Sequence, residues 1–393
     1  MKVLLCHNFY QQQGGEDESF ADEGRILEAR GQEVLRYTRH NAAIEGLDRW
    51  QLARSSLWNR QTYDELREII ARERPDVVHC TNIFPLISPA AYDAADEARI
   101  PVVQALRNYR LLCPNALFFR EGRVCEDCLG KTIPWPGVAH SCYQHSRLVT
   151  AGTVAMLTMH RARRVWDRKV DLYFAPSEFT RQKYVEGGLP AERIAVKPNC
   201  VDPDPGAGEG KGGYVVFVGR LSREKGVETL LAAWEKLSGN AELRIVGDGP
   251  LADDVLQACT RDRRIRWLGR QPMSEVLRIV GDAACLVMPS LWYETFGRTI
   301  VEAFSRGTPV VVSGLGAMAE LVEDGRTGYH ARPGDAADLA AKMERILSSP
   351  VERARMRQAA REEYLRKYTA GPNYDRLMEI YHRARTLRQT RSA

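Results

Sequence analysis

Short apolar blocks alternate with longer amphipathic stretches along almost the whole chain. KVLLCHNFY, QEVLRYT, DVVHCT and IPVVQAL read as strands. Between them, EDESFADEGRILEARG, the residues around YDELREIIARE and those near SPAAYDAADEA carry apolar positions at the helical period, the first closed by Gly31. The near-continuous apolar character of the strands predicts parallel sheets covered on both faces. The alternation lapses in a long irregular segment, resumes at DLYFAPS, and breaks again in RIAVKPNCVDPDPGAGEGKGG, where Pro, Gly and Asp dominate. It restarts with YVVFVGR, KGVETLLAAWEKLSG, AELRIVGDGP, LADDVLQACT, RIRWLG, MSEVLRIVGD, ACLVMPS and PVVVS.

Two Rossmann-like α/β domains follow from this pattern, with parallel sheets facing a central crevice. Their bounds are 1–198 for the first, 199–212 for a linker and 213–371 for the second; residues 108–146 form an insert in the first. The amphipathic segment YDRLMEIYHRARTLRQ, within 372–393, is expected to pack back on the first domain. A length of 393 residues suits two cores of about 150 to 200 residues. Open sheets of this kind bind ligands at the carboxyl ends of their strands. A net charge of +5 suits anionic ligands or an acidic membrane surface without demanding nucleic acid. The opening MKVLLCHNFYQQQ is too short an apolar run for a signal peptide, and no stretch reaches the ~18 apolar residues of a membrane span. A cytoplasmic protein is expected, with peripheral contact on the inner face of the plasma membrane as a further expectation. Nine cysteines in a reducing compartment are then read as mainly unpaired thiols or metal ligands.

The segment SLWYETFGRTIVEAFSRGTPVVVS carries the most chemistry. Glu294 falls in the loop after a strand and Glu302 in the early turns of the next helix. A helix start there offers unpaired N–H groups to a phosphate, and Gly297 lets backbone come close to a ligand. Two carboxylates beside it can accept hydrogen bonds from sugar hydroxyls. In FVGRLSREKG, Arg220 and Lys225 supply two cations that can neutralise a diphosphate and stabilise the charge that grows as a sugar departs. Gly14 and Gly15 allow a tight turn between the first strand and the first helix and close approach to a substrate, which makes them donor-binding candidates, with a plain turn as the other reading.

The order of Pro, Glu294, Phe296-Gly297, Glu302-Ala, Gly-Thr-Pro-Val-Val and Glu320-Leu-Val-Glu-Asp-Gly-Arg-Thr-Gly resembles the donor-site signature of retaining glycosyltransferases of family 4, with the GT-B fold. A YQQ-Gly-Gly start, a VVH strand and a Cys-rich insert resemble one of its subgroups. The resemblance implies a nucleoside-diphosphate-sugar as donor, Glu294 on the sugar hydroxyls and Glu302 on the ribose. It implies Arg220 and Lys225 on the diphosphate, and amides around Phe296, Gly297, Arg298 and Thr299 on the donor. Gly219, Gly247, Gly249, Leu268 and Gly269 fall at its nucleotide-side loops. His79, Asn82 and Asn108 are acceptor-side candidates, a structural, buried His79 being the alternative. Arg107 stands where the family has a histidine near the reacting carbon, and it is longer and permanently charged; Arg298 stands where an aliphatic residue is usual.

Cys113, Cys125, Cys128 and Cys142 offer four soft ligands for a closed structural zinc site in the insert, with buried thiols and a disulfide as the other readings. HRARRVWDRK reads as a basic helix for anionic lipid or as a solvated face. Catalysis needs no cofactor and no divalent metal in this reading, since the departing phosphate helps to take the acceptor's proton. The acceptor is a glycan or lipid-linked hydroxyl, in polysaccharide or glycolipid assembly, and no nucleic-acid partner is expected. The rivals are a nucleotide-sugar epimerase and a sugar-nucleotide-binding protein without turnover.

Overall fold

The computed structural model describes residues 1–11, 14–46 and 48–392; Gln12 and Gln13 of the FYQQQGG string lie outside them. The chain divides into two compact units, one of Met1–Leu117, Glu126–Pro198 and Gly371–Ala393, the other of Phe118–Cys125 and Asn199–Ala370.

In the first unit, strands β1 (Lys2–Phe9), β2 (Glu33–His40), β3 (Val77–Cys80) and β4 (Val102–Ala105) precede a two-stranded antiparallel hairpin, β5 (Phe119–Arg120) with β6 (Arg123–Val124). The hairpin itself belongs to the second unit, where Phe118 meets the Tyr293 ring edge-on at 6.3 Å. Strands β7 (Leu172–Ala175) and β8 (Ile194–Val196) complete the first sheet, all parallel, in the order β2-β1-β3-β4-β7-β8. The second unit holds β9 (Val215–Val218), β10 (Leu243–Val246), β11 (Ile265–Trp267), β12 (Cys285–Met288), β13 (Val310–Ser313) and β14 (Gly328–Ala331). Their order is β11-β10-β9-β12-β13-β14, again all parallel. This is the doubly wound order whose direction of winding reverses between β9 and β12.

Every residue of β3, β4, β7, β12 and β13 is buried, as covered parallel strands require. Side chains alternate between the faces of the second sheet. Val216, Leu286, Val310 and Val312 join Ile300, Val301 and Phe304 on one side, while Val215, Phe217, Cys285, Val287 and Val311 join Leu230, Trp234 and Met343 on the other. The last helix, Ala370–Ser392, gives Leu377, Ile380, Tyr381 and Ala384 to the core of the first unit, against Val3, Leu5, Val77, Val103 and Phe174.

Two strands depart from the sequence pattern. β8 falls at the head of RIAVKPNCVDPDPGAGEGKGG, where the alternation reads as broken just ahead of the linker, because a strand of three residues before Lys197-Pro198 makes too short an apolar run. β14 begins at Gly328, where a side chain would stand 1.9 Å from the carbonyl of Val310, so a residue that reads as a breaker is the one that fits beside β13. The irregular stretch before β7 also contains a sixteen-residue helix, Arg147–Ala162.

The first unit is unusual in burying a charge cluster. Glu23 sits on the core-facing side of helix Gly15–Ala29, in register with Phe20 and Leu27. Its Oε1 accepts from Arg107 Nη2 and from Lys197 Nζ, both at 2.6 Å. His79 Nε2 stands 3.8 Å from the other oxygen, and His79 Nδ1 pairs with the Tyr381 hydroxyl at 2.8 Å. Glu23, Arg107, Lys197, His79 and Tyr381 are all buried. Burial alone would raise the Glu23 carboxyl, but the charges of Arg107 and Lys197 override it and hold the group at about 2. Burial lowers His79 from 6.5 to about 4, with Arg107 and Lys197 adding to the effect against the pull of Glu23. His79 is therefore neutral in the folded protein at pH 7.

A histidine depressed on folding takes up its proton on unfolding, so its contribution is intact above pH 6.5 and is lost as the pH falls toward 4. Acidification from pH 7 to 5 should cost about 2 kcal/mol through His79 alone, read as a shift in the denaturation midpoint. His79→Gln should flatten that slope; an unchanged slope would contradict the burial of a neutral imidazole. The Glu23 contribution should fall away only below pH 4.5.

Candidate functional site

The reversal point of the second sheet assembles the residues with the most evident chemistry. After β9 the chain runs through Gly219 and Arg220 into the short turn Arg223–Lys225 and the helix Val227–Trp234. After β12 it runs through Pro289 and Ser290 to Glu294 and the helix Arg298–Ser305. The loops touch: Leu291 N donates to Glu224 O at 2.8 Å, and a side chain at Gly226 would meet the carbonyl of Pro289 at 2.0 Å.

Glu294 is buried, and its Oε1 accepts from Lys225 Nζ at 2.6 Å, Ser290 Oγ at 2.8 Å and Trp292 Nε1 at 2.9 Å. The Lys225 ammonium also lies over the Trp292 ring at 5.2 Å. Arg220, by contrast, is exposed and has no acidic partner among the described residues. One cation of the pair is thus neutralised inside the protein and the other is open to an anion. Helix Arg298–Ser305 starts at Gly297 with no side-chain cap, which leaves first-turn amides for an incoming acceptor group. Phe296 is buried beneath it, and Thr299 lies in the first turn. Glu302, also buried, is bonded by Arg298 Nε at 2.9 Å across one helical turn. The unusual arginine thus forms a salt bridge with the carboxylate assigned to the ribose.

The candidate glycines serve the backbone first. Gly247 has φ +135°, its N–H donates to Gly269 O at 2.8 Å, and a side chain there would lie 1.9 Å from Gly219 O. A side chain at Gly249 would lie 2.6 Å from Leu221 O, and Leu268 N donates to Ile245 O at 2.8 Å. The ends of β9, β10 and β11 are stitched together by these backbone bonds and by Trp267 Nε1, which donates to Gly247 O at 2.8 Å, and this holds the loops at short range from one another.

In the first unit the candidates separate. Asp17 Oδ2 accepts from Gly14 N at 2.9 Å and its Oδ1 pairs with the buried His7 at 2.7 Å, fixing the Gly14-Gly15 turn at the start of helix Gly15–Ala29. Asn82 ties the ends of β1 and β3 through Asn8 O at 2.9 Å. Asn108 Nδ2 donates to Glu16 Oε1 at 3.1 Å, and burial raises the Glu16 carboxyl despite that bond. Asn82, Arg107, Asn108 and Arg110 line one small cavity of about 30 Å³ at the carboxyl ends of β3 and β4. His79 lies outside it, held by Tyr381. Glu16, Asp17, Glu23 and Lys197 escaped sequence reasoning; for the three acids the available signal was their place on the first helix at positions where the helical period puts core, and Lys197 left none.

Among the described residues no group of three or more His, Cys, Asp or Glu side chains is placed to hold a metal ion. Cys113 Sγ donates to Asn115 Oδ1 at 2.9 Å and Cys128 Sγ to Pro134 O at 3.7 Å. Asp204, of the Asp202-Pro203-Asp204 string, is paired with Arg361 at 2.6 Å.

Residues 14–200 match the glycosyl transferase 4-like domain, and residues 204–363 match the glycosyl transferases group 1. A glycogen synthase of Mycobacterium tuberculosis is 35% identical over 154 residues, 38% of this chain and 37% of that protein. A phosphatidyl-myo-inositol mannosyltransferase of Mycobacterium leprae is 30% identical over 234 residues, 57% of this chain and 62% of that protein. In both cases the matched region spans less than two thirds of the relative's length. Anabaena HepE, solved in complex with UDP-glucose, superposes with a TM-score of 0.69 at 17% identity, over 96% of this chain and 99% of that one. Sucrose-phosphate synthase from Thermosynechococcus elongatus does so at 0.72 and 16%, over 97% and 98%. At these identities the likeness speaks for the fold, which is GT-B. Together the two matches span most of the chain, which carries a glycosyl transferase 4-like domain followed by a glycosyl transferases group 1 domain.

Proposed function

We propose that the protein transfers a sugar from a nucleoside-diphosphate-sugar to an acceptor hydroxyl, with retention at the anomeric carbon and without a divalent metal. The observation that carries this reading is the Lys225–Glu294 pair at the reversal point of the second sheet, which closes the loop after β9, where Arg220 lies exposed, on the loop that leads from β12 to an uncapped helix start. Arg220 and Lys225 bind the diphosphate and stabilise its growing charge as the glycosidic bond breaks. Glu294, held by Ser290 and Trp292, orients the sugar through its hydroxyls. The amides of Arg298 and Thr299 face the donor, and Glu302 takes the ribose. The departing phosphate oxygen receives the acceptor's proton. The acceptor is a glycan or a lipid-linked sugar in polysaccharide or glycolipid assembly. UDP-glucose in the HepE complex and the sugar-transferring relatives support this assignment.

One observation favours a second reading, donor binding without transfer: the Arg107 guanidinium is engaged by Glu23 inside the first unit.

Turnover of a panel of UDP-, GDP- and ADP-sugars in the presence of EDTA tests both. One donor should be consumed, with the anomeric configuration of the product, read by NMR, the same as in the donor. Glu294→Gln should lower kcat/KM about 100-fold, in the range of losing one preorganised transition-state contact. Donor binding without consumption would establish the second reading; an inverted product, or a Glu294→Gln variant as active as the parent, would refute the first. Arg298→Leu should release Glu302 and tighten nucleoside diphosphate binding by up to about five-fold, the worth of a partly exposed ion pair.

A further inference from the structure

The helix Arg147–Ala162 turns an apolar face to solvent. Thr150, Val154, Met156, Leu157 and His160 are buried on one side. On the other, Leu148, Gly152, Ala155 and Ala162 are exposed, at spacings that keep them on one stripe. A helix in water ordinarily carries polar residues there. Leu148 is 79% exposed. Beside the helix runs the segment 131–143, tied to it at one end by Arg161 Nη1 on Lys131 O at 2.5 Å and at the other by Tyr143 N on Thr150 Oγ1 at 3.0 Å. That segment exposes Ile133 at 53% and Trp135 at 61%. These three are the large hydrophobic side chains exposed on the first unit among the described residues.

Along this stretch the charge has one sign, with Glu126, Asp127 and Asp167 just outside it. From Cys128 to Trp166 the chain contains Lys131, Arg147, Arg161, Arg163 and Arg164 and no Asp or Glu. Lys131, Arg147, Arg163 and Arg164 are exposed. Arg164 has Asp167 at 3.3 Å, while Arg161 is used internally on the carbonyls of Leu111, Lys131 and Thr132. The neighbouring helix Arg49–Leu57, packed against Arg147–Ala162, adds an exposed Arg54 and no acid. At 16 residues the helix is too short to cross a bilayer, and no helix of the described residues is long and apolar enough to do so.

We propose that this face of the first unit is a docking surface for an anionic lipid bilayer. Ile133, Trp135 and Leu148 enter the headgroup boundary, and the helix lies in the plane with its cations on the lipid phosphates. Charge complementarity selects this occupant: a second copy of the chain would bring the same cations against themselves. The inference rests on the transferase reading only for its purpose, access to a lipid-linked acceptor.

Flotation of the purified protein with vesicles of phosphatidylcholine alone, or of phosphatidylcholine with phosphatidylglycerol, tests it. The protein should float with the anionic vesicles and remain below with the neutral ones. Arg163→Gln and Arg164→Gln should each weaken partitioning about five-fold, corresponding to about 1 kcal/mol per basic residue near an anionic surface. Trp135→Asp with Leu148→Asp, both at exposed positions, should abolish flotation while leaving the melting temperature unchanged. Equal recovery with both vesicle types, recovery with neither, or flotation of the double variant like the parent would each overturn the proposal. Concentration-dependent self-association that Leu148→Asp removes would assign the face to a second copy instead. Failure of every sugar nucleotide to be consumed, with flotation intact, would strike the transferase reading and leave the surface standing.

Discussion

One carboxylate oxygen fixes the second unit's ligand end. Glu294 Oε1 accepts from Lys225, Ser290 and Trp292 at once, so a loop from β9 and a loop from β12 are closed on each other. Such a junction is possible only where the two strands are neighbours whose connections leave in opposite directions, which is what the reversal in winding provides. Gly226 then has to be glycine, because the loops approach to within a side chain's width of Pro289. The pair also sets the charge on offer. Lys225 is balanced by Glu294, and Arg220, exposed in the same loop, has no acidic partner among the described residues. In the proposed reaction a diphosphate draws Lys225 toward itself, so donor affinity is a difference between two ion pairs and not the strength of one.

The first unit handles charge in the opposite way. Glu23 is enclosed with Arg107 and Lys197, and the neutral His79 links this cluster to Tyr381 of the last helix. Removing one partner would strand a charge in the core, which costs several kcal/mol. The last helix is therefore held to the first unit by a polar anchor as well as by Leu377, Ile380 and Ala384. Arg107, which the family resemblance would set near the donor sugar, has this structural duty to discharge in addition to any contact with a ligand.

Much of the fold was legible because covered parallel strands are spelled as unbroken apolar runs: VVH, PVVQA, LYFA, CLVM and VVVS each became a strand. The illegible parts are those where tertiary contact overrides local preference. Gly328 lies in a strand because only a glycine fits beside Val310, and Ile194–Val196 is an edge strand too short to register as a run. The candidate residues of the second unit were legible as a group since a loop, a helix start and two carboxylates leave a linear trace. The cluster around Glu23 was not, because its members lie 84 and 174 residues from the glutamate, and only an acidic residue at a core position of the first helix hinted at it.

The central claim is that Arg220 and Lys225 form the diphosphate site. Calorimetric titration with UDP, GDP and ADP, without sugar and in EDTA, tests it most directly. The account predicts that one of these nucleotides binds and that Arg220→Ala and Lys225→Ala each weaken it at least about ten-fold, as expected for a hydrogen bond to a charged group. Binding that neither replacement alters, or no binding of any of the three, would contradict it.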